Sequence, residues 1–257
     1  MTRRLSGPIT RLGRTLEQLL RPTGRRLFYA LAVDPWLREG TTRRARFGPY
    51  RGLAFELTAP MMSRRNVFYR AYEPAVTRWL RRTIRPGMVV WDVGAHVGIH
   101  ALYVAHLLKG QGQVVAFEGW PENAACLRRN AAANPGLSAL ITLVPQCIAR
   151  QAGPVRMAEG SSDGKHHLAA GDEARCLEVQ ATTLDGYWRA TGTCPDILIL
   201  DIEGYELDAL EGGIALVQCC RPRLVLEHHQ RAEALLGWLA AQQYTIESVD
   251  DRHIFAR

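Results

Sequence analysis

The sequence predicts a Rossmann-like α/β fold: a mostly parallel sheet with a C-terminal antiparallel strand, behind a basic N-terminal extension. Three observations predict it. Short, unbroken apolar runs alternate with longer stretches of helical periodicity, the pattern of a parallel sheet buried on both faces. A glycine-bearing turn, Gly94-Ala95-His96-Val97-Gly98, follows the first of those runs. The chain closes on two short stretches, Tyr244–Val249 and His253–Phe255, around Asp250-Asp251-Arg252, which reads as an antiparallel pair.

The elements follow in order. Residues 1–46 are rich in Arg, with one amphipathic helix suggested by Ile9, Leu12, Leu16, Leu19 and Leu20. Residues 47–85 lead into the core. Two short runs between Arg46 and Leu57, about Gly48-Pro49-Tyr50-Arg51-Gly52, predict a hairpin. A helix opened by Tyr72-Glu73-Pro74 then runs through Thr83, with Val76, Trp79, Leu80 and Ile84 on one side. Residues 86–257 form the main domain. Its strands are expected at Met88–Val93, Gln113–Phe117, Leu140–Val144, Ile197–Ile202 and Leu224–Leu226, with weak strands near Val155 and at Cys176–Ala181. Helices are expected from Ile99 to Leu108, from Pro121 to Ala133, through Leu207, Leu210, Ile214 and Val217, and about Leu235, Trp238 and Leu239.

Composition narrows the classes. No apolar run reaches the roughly 18 residues of a membrane span, and Leu27–Val33 lacks the cleavage site of a secretory signal. Six cysteines without a regular spacing read as reduced core thiols of a cytoplasmic protein, not a disulfide framework or a zinc site. The net charge of +7 is asymmetric: residues 1–85 carry 19 Arg against 5 acids, whereas residues 86–257 are net negative. The basic segment 1–46 suits an anionic partner or membrane surface. Phe28, Tyr29 and Trp36 are too few for a base-stacking platform, so no nucleic-acid partner is expected.

The chemistry gathers at the strand ends, where ligands of such sheets bind. Asp92 ends the first core strand, Gly94 lets the chain turn, and Gly98 lets the next helix approach a ligand or a neighbouring strand. The turn is not Gly-x-Gly-x-x-Gly, so the pyrophosphate fingerprint fails. A carboxylate there would repel a pyrophosphate but attract the aminium and sulfonium of S-adenosylmethionine. Glu118, 24 positions after Gly94, closes the second strand where an acid accepts from ribose hydroxyls. Asp201 and Glu203 stand at the opening of the fourth strand, where carboxylates can orient a hydroxyl, take its proton or hold a metal. His228, in Glu227-His228-His229 after the fifth strand, is the candidate general base. His96 and His100 are spaced i, i+4 but lack a third ligand, and no metal is expected. Two rival readings are a nicotinamide-dependent oxidoreductase and a non-catalytic Rossmann-like binding module working through its basic N-terminus.

Taken together, Tyr72-Glu73, Pro86-Gly87, Asp92-x-Gly94-Ala95-x-x-Gly98, Phe117-Glu118, Pro121, Asn130, Thr183-Leu184-Asp185, Asp201-Ile202-Glu203-Gly204-x-Glu206, Leu210-x-Gly212 and Glu227-His228 resemble the FkbM family of methyltransferases. The resemblance implies a class I methyltransferase sheet and S-adenosylmethionine as donor. It would place Asp92, Gly94, Ala95, His96, Gly98, Glu118 and Asp201 around that donor. It also implies O-methylation of a sugar or other natural-product hydroxyl, the acceptor being a small molecule or glycan. The family commonly has Asn where His96 stands, and often Lys where Leu200 stands.

Overall fold

The computed structural model describes residues 37–257 except 59–60, 62–64, 69, 160–165, 170–175 and 230. The helix expected about Ile9–Leu20 lies outside them. Thirteen strands are described. β1 (Thr42–Arg44) and β2 (Ala54–Glu56) form an antiparallel hairpin. Its first strand lies before Arg46, because the turn uses the residues after it: Gly52 N–H donates to the carbonyl of Ala45, and Gly48 and Gly52 both have positive φ.

The main sheet holds β3 (Val89–Val93), β4 (Gln113–Phe117), β5 (Ile141–Val144), β10 (Ile197–Leu200), β11 (Arg223–Glu227), β12 (Ile246–Val249) and β13 (His253–Ala256) in the order β12-β13-β11-β10-β3-β4-β5. The strands from β11 to β5 run parallel, while β13 is antiparallel to both its neighbours. This is the Rossmann-like class I methyltransferase sheet. The order reverses between β3 and β10, and the crevice beyond those strand ends is where such folds bind ligands.

The apolar runs are continuous because both faces are covered, yet the side chains still alternate. Val90, Val114, Ala116, Ile197, Ile199 and Val225 pack on one face with the helix Ile99–Leu107, the helix Pro74–Thr83 and the hairpin. Trp91, Val93, Val115, Phe117, Leu198, Leu200, Leu224 and Leu226 pack on the other, against residues of the helices Leu184–Thr191, Glu206–Glu211, Ile214–Cys220 and Ala232–Ala241. Leu200, where the family often has Lys, is wholly buried in this second core.

Two of these expectations are corrected. The helix read as continuous through Leu207 and Val217 is two helices, broken at Gly212-Gly213, and Ile214 is exposed. A Cβ on Gly212 would come within 2.7 Å of the Ala149 carbonyl, and one on Gly213 equally near the Leu184 side chain. Asp185 then accepts from the N–H groups of Ala215 and Leu216 and caps the second helix. The weak strands stand where expected and form a separate sheet of β6 (Cys147–Ile148), β7 (Gly153–Glu159), β8 (His166–Leu168) and β9 (Cys176–Thr182) in the order β6-β9-β7-β8. Last, the cysteines are not all reduced: Cys194 and Cys220 form a disulfide. No helix among the described residues is long and apolar enough to cross a membrane.

Candidate active site

A cleft of about 920 Å3, counted with its open mouth, lies beyond the ends of β3, β4 and β10. Asp92, Gly94, Ala95, His96, Glu118, Asp201 and Glu203 all line it. The strand alternation turns Asp92 toward the helix Ile99–Leu107, where one oxygen accepts from the Ala101 N–H. The other, Oδ2, is buried with no hydrogen-bond partner. Burial pushes this carboxyl up to about 6, because the charged form has lost its water.

Glu118 is equally buried and has a more built environment. Its Oε2 accepts from His96 N–H and its Oε1 from Trp120 N–H, each at 2.7 Å. Burial outweighs those bonds and raises the carboxyl to about 7. Each oxygen keeps a second lone pair for a ligand hydroxyl. The bond to His96 requires that residue's left-handed backbone, φ 52. His and Asn tolerate that conformation better than most residues, which accounts for the family's Asn and this chain's His.

The two motif glycines differ in purpose. A Cβ on Gly94 would stand 1.9 Å from the carbonyl oxygen of Asp201, so only glycine lets the turns after β3 and β10 touch. At Gly98 a Cβ would meet Leu127 at 2.9 Å, so that glycine serves packing of helix on helix and not a ligand. The side sheet supplies a further wall: the Trp120 indole stacks on His166 with ring centroids 3.8 Å apart, and Tyr205 Oη–H donates to the carbonyl of Leu168.

The fifth strand gives the main difference from the sequence-based expectation. His228 does not line the cleft; its Nε2 lies 3.2 Å from the Asp250 carbonyl oxygen. His229 does not line the cleft either; on a left-handed backbone with φ 37 it turns toward a cluster of acids that includes the cleft residue Asp201. Its Nε2 lies 3.1 Å from Glu227, 3.7 Å from Asp201 and 3.7 Å from Glu206, and its Nδ1 3.8 Å from Glu203. Burial alone would lower its pKa, but Asp201 and Glu227 overcome this and raise it to about 10. Burial works to raise Glu227 as well, yet Asp201, His229 and Arg252 hold it low, while burial and the Glu227 carboxylate drive Asp201 well up. Glu206 serves the architecture of the site. Its Oε1 accepts from the N–H groups of Ile202 and Gly204 and shapes the turn that carries Glu203.

Nothing in the sequence distinguishes His229 from His228, since the choice depends on one backbone angle. Glu73 was also out of reach. It is buried, 2.8 Å from His100 Nε2, and joined by Arg252 from the far end of the chain. Among the described residues, seven non-glycine residues have positive φ; Glu73, His96, Glu203 and His229 surround this site, while Lys109, Arg221 and Gln243 follow helix ends. Strained backbone gathers at functional sites.

The sheet order, the acidic strand ends and the cleft define an S-adenosylmethionine-dependent methyltransferase domain of the Rossmann-like class. The sequence matches the model of the Methyltransferase FkbM domain over residues 92–246, and the chain belongs to that family. S-adenosylmethionine is the donor that the family implies. No curated protein matches the sequence. Among solved structures, a methyltransferase FkbM from Methylobacillus flagellatus KT is 17% identical with a TM-score of 0.52. That match covers 68% of this chain and 44% of the other, so the chain spans less than half of that relative's length. A precorrin-6y C5,15-methyltransferase from Geobacter metallireducens GS-15 is 14% identical, with a TM-score of 0.46 over 72% of this chain and 87% of that one.

Proposed function

We propose that this protein transfers a methyl group to a hydroxyl oxygen of a sugar or other natural-product acceptor. The observation that carries the reading is the shared cleft: Asp92, with its unpartnered buried oxygen, and Glu118 face the same space as Asp201 and Glu203. The first pair fits a cationic nucleoside, Asp92 toward its positive groups and Glu118 toward its ribose hydroxyls. S-adenosylmethionine, when bound, supplies a methyl group already activated by its sulfonium. What remains for the chain is alignment and exclusion of water. Gly94 and Ala95 let the ligand approach the backbone, Asp201 and Glu203 orient the incoming hydroxyl, and Glu203 draws its proton. His229 holds those acids in place.

Calorimetry should show S-adenosylmethionine binding by the native chain and loss of that binding in Asp92→Asn. Mass spectrometry of a hydroxylated-metabolite panel should then reveal methylated products. Turnover with the acceptor so found should fall about 100-fold in His229→Ala, on the scale of misplaced reacting groups, and stay near the native rate in His228→Ala. The reverse order would return the role to His228. Methyl transfer only to nitrogen or carbon would refute the acceptor class.

A further inference from the structure

We propose that Asp201, Glu227 and His229 form a divalent-cation site at the edge of the cleft, through which an acceptor's oxygen atoms are held. The proposal rests on the methyltransfer reading for its purpose, but the site can be tested without it. One ligand atom from each residue lies within 4.8 Å of the others. His229 Nε2 and Glu227 Oε2 stand 3.1 Å apart and yet make no hydrogen bond. Glu227 is 97% buried, and beyond the ion pair with His229 this oxygen has no hydrogen-bond partner. Its other oxygen is taken by Arg252, which fixes the carboxylate with the unpartnered oxygen facing the cluster.

The spacing suits an ion. Neighbouring ligands of an octahedral cation with bonds of about 2.1 Å stand about 3.0 Å apart. The Glu227–His229 pair already has that separation, and Asp201 Oδ1 at 3.7 Å from His229 must close by about 0.7 Å to reach it. Glu203 and Glu206 add negative charge around the same imidazole. Two carboxylates and one imidazole suit Mn2+, or Mg2+ bound more weakly, better than a soft thiophilic ion. Three protein ligands leave positions open in a six-coordinate shell, and Asp201 belongs both to this cluster and to the cleft wall. An acceptor with a hydroxyl beside a second oxygen could replace two waters there. The ion would then orient the acceptor and select for such oxygen pairs.

The test uses the full chain, treated with a chelator and titrated with Mn2+ while electron paramagnetic resonance follows the free ion. The expected result is one Mn2+ per chain, with affinity at least about tenfold weaker in Asp201→Asn and in His229→Ala. The second variant leaves the Arg252–Glu227 pair in place and guards against simple unfolding. His228→Ala should bind Mn2+ as the native chain does. S-adenosylmethionine binding is measured in parallel by calorimetry. A chain that binds the donor but not Mn2+ overturns the cation site and spares the methyltransfer reading. A chain that binds Mn2+ through these residues but not the donor upholds the site while that reading falls. Native-like Mn2+ affinity in His229→Ala also overturns it.

Discussion

Asp92 and Glu118 bind their protons more tightly in the folded chain than unfolded, with values moved from 3.8 to about 6 and from 4.5 to about 7 by burial. Their ionisation therefore costs the donor-free fold stability as pH rises from about 4 to about 7, and nothing further above that. A cationic ligand favours the ionised forms. Donor affinity should accordingly strengthen between pH 5 and 7, with proton release, and level off above. Calorimetry in buffers of different ionisation heat would show this. An affinity independent of pH would place the donor's charge elsewhere. At this scale the sequence was informative for acids at strand ends, because strand position alone directs them. It was silent on His229, whose inward turn depends on a strained φ, and on Glu73, whose partners His100 and Arg252 are distant in the chain.

Elements announced by unbroken apolar runs were legible: β3 and β4 stand within one residue of where their residues predict them. Elements with mixed burial were not. β7 alternates half-buried and exposed residues before two buried ones, and β8 is three half-buried residues, so neither gives a firm period. The family's Asn130 proves to be a fastener. Its Oδ1 accepts from Glu56 N–H and its Nδ2–H donates to the Val97 carbonyl, while Asn134 makes a matching pair of bonds to Ala54. Together they satisfy the backbone of β2 along an edge that no other strand of its sheet covers. Asn130→Ala should therefore lower the free energy of unfolding by about 1–3 kcal/mol, the cost of leaving buried groups unpaired, with donor affinity unchanged. Denaturant melts and calorimetry on the same sample would check both.

Across the whole molecule, the disulfide Cys194–Cys220 ties the approach to β10 to the end of the helix Ile214–Cys220, closing a loop over 26 positions that contains Asp201, Glu203 and Glu206. Chain entropy for such a loop gives about 3.5 kcal/mol, so Cys194→Ser with Cys220→Ser should lower the unfolding midpoint by a corresponding amount. A mass difference on reduction and alkylation would report the bond itself. Scattered cysteines concealed it because sequence spacing does not reveal which sulfurs meet. The fold class, by contrast, was legible from the alternation of buried runs and helices, since only a doubly covered parallel sheet accommodates it. The contact between Gly94 and the Asp201 carbonyl has a wider consequence. Main chain touches main chain where the turn after β3 meets the turn after β10, so the separation of the two turns does not depend on any rotamer. Side chains such as Ile202, Glu203 and Tyr205 can then be exchanged to reshape that end of the cleft while this separation stays the same.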